Sequence, residues 1–314
     1  MSTWSETEVP VVRAEERVIV VGYDESPGSE QALRWAVEEA QLRKLPLAVC
    51  HAWHWPYLRR PVDKEVLGQL RATGTAVVEE GIRRVRELAP ALDVRPLLGK
   101  GVATAVLLQA ARNAELAVLG SRGQGGFEEL RVGSAAVQVP AHSVRPVVIV
   151  GPGKVPEREG KARIVVGADG SPAGQGALEF AFEEAELRDG SVTVVCCWQD
   201  AGDLSGQDGL PFVDRRALRV NAEACFRGAV AALICRYPDV PVTTEFVAGR
   251  PERAVIDAAR DATLLVLGSR GIGSTPTTLV GPVTQAALAA AGCPVAVTPP
   301  PCADPSVGGH SAVN

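Results

Sequence analysis

Two short segments of this chain could hold an anion on bare backbone: Gly120-Ser121-Arg122-Gly123 and Gly268-Ser269-Arg270-Gly271. Each ends an apolar run, Leu116 to Leu119 and Leu264 to Leu267, and a further glycine stands ten residues on, at Gly133 and Gly281. Glycine leaves room for a polyanion against the main chain, and a helix starting at the last glycine points free N–H groups at it. The spacing therefore predicts a phosphate cradle in each half. In the first half Ser134 follows Gly133, so a hydroxyl donor joins the helix start, with Ala135 next. A carboxylate, Asp24, stands just past the first apolar run Val18 to Val21, where it could accept from a ribose hydroxyl or an adenine amine. Asp24 also reads as an ordinary turn residue before Ser26-Pro27, and a single Gly-x-x-Gly closes many tight turns. The doubled arrangement, with nine residues between Gly123 and Gly133 and nine between Gly271 and Gly281, favours the phosphate reading of the first copy.

The elements that must position these residues repeat as well. Asp24 recurs as Asp169 and Trp53 as Trp198, an offset of 145; Gly120 to Gly268 and Pro146 to Pro294 are offset by 148. A long period with two copies means two tandem domains rather than a solenoid. Short apolar runs, as buried parallel strands require, fall at Val18 to Val21, Leu45 to Cys50, Val94 to Leu98, Leu116 to Leu119 and Val147 to Val150. Between them lie helical patterns: one opening at the cap-like Ser26-Pro27, then Val66 to Leu88, Ala103 to Arg112, and one from about Ser134. The second half repeats the order from Ile164 to Val297. Alternating strands and helices predict an α/β fold, two tandem open five-stranded parallel sheets with helices on both faces. The expected organisation is a loose segment over 1–16, a first domain over 17–151, a linker over 152–162, a second domain over 163–298 and a disordered tail over 299–314. Asp200 to Gln207 reads as an exposed insert.

Composition bounds the function. The 314 residues are 46% apolar and 22% charged, which is ordinary for globular proteins and sufficient for two cores. A net charge of −5 argues against general nucleic-acid affinity, so an anion site must be local. Seven cysteines form an odd set, mostly in apolar contexts that suit buried thiols in a reducing cytosol. No uncharged run reaches the roughly 18–20 residues of a membrane span, and the N-terminus is acidic and polar. A cytoplasmic chain with no membrane or nucleic-acid partner is expected.

Together these features resemble the universal stress protein family in its tandem form, from Arg17 to Pro299. The resemblance rests on Val21-Gly22-Tyr23-Asp24 and Val166-Gly167-Ala168-Asp169, and on Gly-2x-Gly-9x-Gly-Ser, which the first half matches in full with Gly120, Gly123, Gly133 and Ser134. It implies an adenine-nucleotide alpha hydrolase-like fold. It also implies that Asp24 and Ala52 flank an adenosine, while the glycines and Ser134 hold the phosphates of ATP, or of AMP or ADP, with Mg2+ joining through the phosphates. The residues expected at the first site are Gly22, Asp24, Ala52, Gly120, Ser121, Arg122, Gly123, Gly133, Ser134 and Ala135. Those at the second are Asp169, Cys197, Gly268, Gly271 and Gly281. The likeness further implies that the halves pack as a pseudo-dimer through edge strands Val147–Val150 and Val295–Val297, and that two chains could pair into a homodimer.

The second half departs from the pattern at Pro282, which stands where the family has a hydroxyl residue. Proline suits a first helical position but supplies neither N–H nor hydroxyl, so this site is expected to be weaker or empty unless Thr284 compensates. Other motifs are weaker. Gly99-Lys100-Gly101 lacks the frame of a Walker A loop, and no Gly-x-Gly-x-x-Gly follows the first strand. His51 and His54 have no carboxylate or thiol nearby in sequence, so no metal site is expected. Cys196-Cys197 lacks redox spacing, and Trp53 and Trp198 read as packing. No general base is placed against the phosphates. The expectation is a stress-response protein acting by nucleotide-dependent conformation or association, with at most slow ATP hydrolysis. Its rivals are a scaffold with no nucleotide site in use and an ATP-consuming transferase.

Overall fold

A computed structural model describes residues 17–55, 63–124, 132–152, 160–198, 215–271 and 278–300. The 1–16 segment, the 200–207 insert and the greater part of the expected linker and tail lie outside the described residues.

The first half runs β1 (Ile19–Gly22), α1 (Pro27–Arg43), β2 (Leu47–Trp53), α2 (Lys64–Leu88), β3 (Val94–Lys100), α3 (Ala103–Ala111), β4 (Leu116–Gly120), α4 (Ser134–His142) and β5 (Val147–Val150). The second runs β6 (Arg163–Gly167), α5 (Pro172–Leu187), β7 (Ser191–Trp198), α6 (Arg215–Arg236), β8 (Val242–Ala248), α7 (Pro251–Ala258), β9 (Leu264–Gly268), α8 (Pro282–Ala290) and β10 (Val295–Thr298). Helix starts follow their cap chemistry. Ser26 accepts from Ser29 N at 3.1 Å and Ser171 accepts from Gly174 N at 3.0 Å, each before a proline whose fixed φ suits the first turn. Strand β2 runs to Trp53, beyond the expected end at Cys50, and β3 to Lys100 rather than Leu98. Seven consecutive residue pairs, from Leu47↔Val94 to Trp53↔Lys100, hold this ladder, so backbone pairing outlasts the hydrophobic signal.

Within each half the strands are parallel, and the two sets join into one ten-stranded sheet ordered β3-β2-β1-β4-β5-β10-β9-β6-β7-β8. The join is antiparallel: Val147 faces Val297, Val148 faces Ala296 and Ile149 faces Val295. Each half alone would leave a row of unpaired donors and acceptors at β5 or β10, and this pairing removes both rows. Apolar residues form one continuous layer on each sheet face across the two halves. One includes Leu33, Val37 and Val85 with Leu178, Phe182 and Val230; the other includes Leu107 and Val139 with Val255 and Leu288. Each such fully buried side chain contributes about 1.5–3 kcal/mol.

Four charges are buried where the halves meet. Arg43 donates to both Glu39 and Glu184, and Arg188 donates to the same two carboxylates, closing a square across α1 and α5. Both glutamate side chains are 0% exposed. The repeat offset relates Glu39 to Glu184, Arg43 to Arg188 and Trp35 to Phe180, so the square is pseudo-twofold. Arg43 lies 5.7 Å over the Phe180 ring and Arg188 5.9 Å over Trp35. Burial opposes the charge on Glu39, but the Arg188 and Arg43 charges outweigh it and hold that carboxyl below the usual carboxylate range.

The expectation of mostly buried thiols fails on α6. Cys50, Cys196 and Cys293 are buried, whereas Cys225 and Cys235 are exposed. Phe226, Val230 and Leu233 form the inward stripe of that helix, and both cysteines fall outside it.

Candidate functional site

In each half the chain enters the sheet at its middle strand. The order 3-2-1-4-5 puts β1 beside β4, and connections leave these two strands toward opposite faces, α1 on one and α4 on the other. A crevice opens outside their carboxyl ends, where open α/β sheets take ligands. The loops after β1 and β4 both end there, which brings Asp24 beside Gly123, and Gly133 beside the Ser121–Gly123 backbone.

The Asp24 carboxylate is bonded to main chain. Its Oδ1 accepts from Ser26 N at 3.1 Å, and its Oδ2 accepts from Gln124 N at 2.9 Å. A Cβ placed on Gly123 would lie 2.4 Å from that Oδ2. Gly120 makes room for protein: a Cβ there would meet the Gly28 carbonyl oxygen at 2.6 Å and Ser29 N at 2.9 Å, at the start of α1. Gly28 reciprocates, since its Cβ would meet the Arg122 carbonyl oxygen at 2.4 Å, and Ser26 Oγ donates to that carbonyl at 3.3 Å. None of Gly120, Gly123 and Gly133 has positive φ. Close approach, not backbone freedom, is therefore what the motif glycines supply.

Gly133 differs. Its nearest contact is the Ser121 carbonyl oxygen, 3.4 Å from a placed Cβ, and its own N–H donates to that oxygen at 2.8 Å. It caps α4 with no side-chain bond to the first-turn N–H groups, and Ser134 at N1 is exposed beside them. That is a helix N-terminus with donors directed at the crevice. Ala135 is half-buried on the α4 face. Ser121 is buried, and its N–H donates to the Val150 carbonyl at 2.8 Å. Gly22 points inward instead, where a Cβ would press on Leu119 at 2.6 Å, and Gly167 repeats this against Leu267 at 2.7 Å. Ala52, near the end of β2, packs partly on the α3 layer.

The second crevice is built the same way. Asp169 Oδ1 accepts from Ser171 N at 2.9 Å, and a Cβ on Gly271 would lie 2.3 Å from Asp169 Oδ2. Gly281 N donates to the Ser269 carbonyl at 2.9 Å and caps α8, whose first residue is Pro282. Thr284 does not replace the missing hydroxyl: it is buried, and its Oγ1 donates to the Gly268 carbonyl at 2.8 Å. Cys197 donates its thiol to the Gly249 carbonyl at 3.1 Å, and burial, then the Glu252 charge, push that thiol's pKa up, away from a reactive thiolate.

Several residues at the first crevice carried no sequence signal of their own. Glu25 sits at φ 61, a left-handed conformation that disfavours a side chain; its counterpart Gly170 has φ 78. Tyr23 is buried and donates to Glu30 Oε1 at 2.5 Å, with its hydroxyl pKa raised by burial first and by Glu30 next. Gly28 was readable, since a glycine has no local use in a helical first turn. His51 Nδ1 lies 2.7 Å from the Tyr23 carbonyl, which makes that nitrogen the donor. Burial pushes the Cys50 thiol up to about 12. Among the described residues no three His, Cys, Asp or Glu side chains converge on a metal position. A depression of about 480 Å³ lined by Leu108, Arg112, His142 and Val144 lies between α3 and α4 at the opposite end of the sheet from the crevice. No described helix is long and apolar enough to cross a membrane.

Comparison with known proteins agrees with this architecture. The universal stress protein family model matches residues 16–151 and again 162–299. Universal stress protein Rv2623 of Mycobacterium tuberculosis strain H37Rv is 31% identical over 286 residues, covering 89% of this chain and 95% of the relative. Universal stress protein Rv1996 of the same strain is 30% identical over 308 residues, covering 92% and 96%. A universal stress protein structure from Archaeoglobus fulgidus DSM 4304 aligns with a TM-score of 0.65 over 91% of this chain and 99% of that one, at 20% identity, a likeness of fold. With two matches in tandem and relatives aligned along nearly their whole length, the chain belongs to the universal stress protein family.

Proposed function

We propose that the first-half crevice binds ATP, and that the second-half crevice binds it more weakly or not at all. The observation that carries this reading is the start of α4. Gly133 leaves the first-turn N–H groups without a side-chain cap, Ser134 adds an exposed hydroxyl, and the Gly120–Gly123 loop lies alongside. These donors fit phosphate oxygens, and the nucleoside would extend over the carboxyl ends of β1 and β2 toward Ala52. Mg2+ would be held through the phosphates, with AMP and ADP as weaker ligands. At α8, Pro282 removes one N–H and one hydroxyl from the same set. The Asp24 carboxylate is engaged by two main-chain N–H groups, which ill suits it to activating a water. On this reading the protein acts in the cytoplasm, through nucleotide-dependent conformation or association in a stress response, rather than by rapid turnover. Pairing of whole chains belongs to the same reading.

The scaffold alternative draws on one observation, that both crevice aspartates already bond main chain. Calorimetric titration with ATP decides between the two. One site per chain is expected, abolished in the double variant Gly123→Ala, Ser134→Ala, with circular dichroism unchanged. Absence of any ATP heat or thermal shift would leave the scaffold.

A further inference from the structure

We infer that strand β8, the outer edge of the second half, is the surface through which two copies of this chain pair, edge to edge and antiparallel about a twofold axis at Thr244. The inference rests on the reading above only for the pairing of whole chains, not for nucleotide.

The two ends of the ten-stranded sheet are built differently. Leu47 N donates to the Asp93 carbonyl and Gly101 N to the Trp53 carbonyl, so the odd-numbered residues of β3 bond toward β2. Main-chain groups alternate sides along a strand, which turns those of Val94, Pro96, Leu98 and Lys100 outward. On β8 the bonds from Val192 N to the Pro241 carbonyl and from Gly249 N to the Trp198 carbonyl turn Val242, Thr244, Phe246 and Ala248 outward in the same way. At the first edge Pro96 has no N–H to offer, and Arg95 and Lys100 add charge, devices by which sheets avoid pairing. Their repeats are Thr244, Thr243 and Ala248, so β8 keeps every outward donor and carries neither proline nor a basic residue. The covering helix also stands off its strands. Gly74 and Gly81 let α2 press close, with placed Cβ atoms 3.0 Å from Leu98 and 2.8 Å from Val49. The matching positions on α6 hold Ala222 and Ala229, and the larger Phe226 stands for Val78. Leu218, Val220 and Ile234 on α6 and Val247 on β8 stay exposed, and Phe246 is only half-buried. Among the described residues no strand pairs with this outer side of β8.

A second copy of the chain fits that edge. The chain already closes two of its edges by antiparallel pairing, β5 against β10. With Thr244 opposite the partner's Thr244, Val242 faces the partner's Phe246, and each outward residue meets another outward residue, so hydrogen bonds exchange in pairs. Thr–Thr and aromatic–β-branched pairs are favourable across antiparallel strands. On the other side of the sheet Glu245 meets the partner's Thr243. A centre at Glu245 would instead set two carboxylates directly opposite, which selects the Thr244 register. An isologous contact of this kind closes as a dimer, and Pro96 keeps the two far edges from extending it.

The full ligand-free chain and its Thr244→Pro variant are compared by sedimentation velocity over a concentration series. Wild type is expected to dimerise, and the variant to need about tenfold or more protein to do so, since proline removes both central donors. The substitution copies Pro96 onto an outward position, so circular dichroism and the denaturation midpoint should hold. Hydrogen exchange on wild type is the second readout: the Thr244 and Phe246 amides should slow as concentration rises through the dimerisation range. A wild type that stays monomeric would leave the edge to another protein's strand and overturns the inference. A Thr244→Pro chain that dimerises as well as wild type also overturns it. So does protection of those amides that is independent of concentration, because the chain would then hold its own edge. If Thr244→Pro loses its fold, the exchange on wild type decides. Calorimetry with ATP decides the nucleotide reading separately, so the two fail independently.

Discussion

The two halves agree where they touch each other and where they hold their own loops, and they differ at the rims that face outward. Glu39, Arg43 and Trp35 meet Glu184, Arg188 and Phe180, their own repeats. The Asp–Gly couple is the same in both crevices to within 0.1 Å in the placed Cβ distance, 2.4 against 2.3 Å. At the rims, Glu25 is answered by Gly170, Val102 by Arg250 and Ser134 by Pro282. A pseudo-twofold contact binds each residue of the square to the copy of its own partner, so one side cannot drift without unpairing a buried charge. A rim residue has no such partner. The repeat therefore preserved scaffold and loop while the two crevices became chemically unequal.

The largest test of that inequality exchanges the two helix starts. Ser134→Pro removes a hydroxyl and an N–H while keeping a residue suited to the first helical position. At about 1.5–3 kcal/mol per donor to a charged group, ATP affinity at the first site should fall about 100-fold or more by calorimetry. The reciprocal Pro282→Ser should raise the second site, moving the stoichiometry toward two. An unchanged isotherm in both variants would break the comparison.

The square tests the agreement. Glu39→Gln and Glu184→Gln each leave a guanidinium short of its partner in a buried site, so each should cost about 3–5 kcal/mol in urea denaturation. The two costs should be similar, because each carboxylate meets the same two guanidinium groups. Replacing all four residues by apolar ones of similar length should cost less than either single change. Unequal single costs would show that the symmetry is one of shape and not of energy.

Smaller effects sharpen the contrast at the rims. Glu25→Gly relieves a left-handed side-chain conformation and should stabilise the first half by about 0.5–1 kcal/mol, whereas Gly170→Ala should destabilise the second by about 1. Denaturation midpoints check both. Smallest is a pH effect at the base of the first half. Arg17 bonds Glu115 and holds that carboxyl below the usual range, while the repeat has Thr263 there instead, accepting from Arg163 N at 3.0 Å. A depressed carboxyl stabilises the fold above its unfolded pKa, and the gain is lost as pH falls through the folded value. Glu115→Gln should therefore cost under about 1 kcal/mol at pH 7, since Arg17 is largely exposed, and that cost should vanish in acid.

Much of this was legible in the chain. The unbroken apolar runs identified the parallel strands, Ser26-Pro27 and Ser171-Pro172 marked helix starts, and the register of the repeat paired the halves residue by residue. The glycine spacing located the crevice loops. It did not reveal what each glycine does, because that depends on atoms far along the chain: Gly120 answers to Gly28, and Gly123 to Asp24. Thr284 could not be judged either, since only its burial against the Gly268 carbonyl removes it as a donor. Nor could periodicity reveal the charged square, because Glu39 and Arg43 on one helix read as an ordinary i,i+4 surface pair until α5 covers them.

By itself the sequence determined the order of elements, the tandem repeat and the loss of donors at Pro282, because these depend on local period and residue type. Only the tertiary structure decided that the halves share one sheet, that four charges lie buried between them, and that Asp24 grips its own loop. Each of those is a meeting of residues roughly a hundred or more positions apart, and contacts at that range follow from how the chain packs, not from what stands next to what.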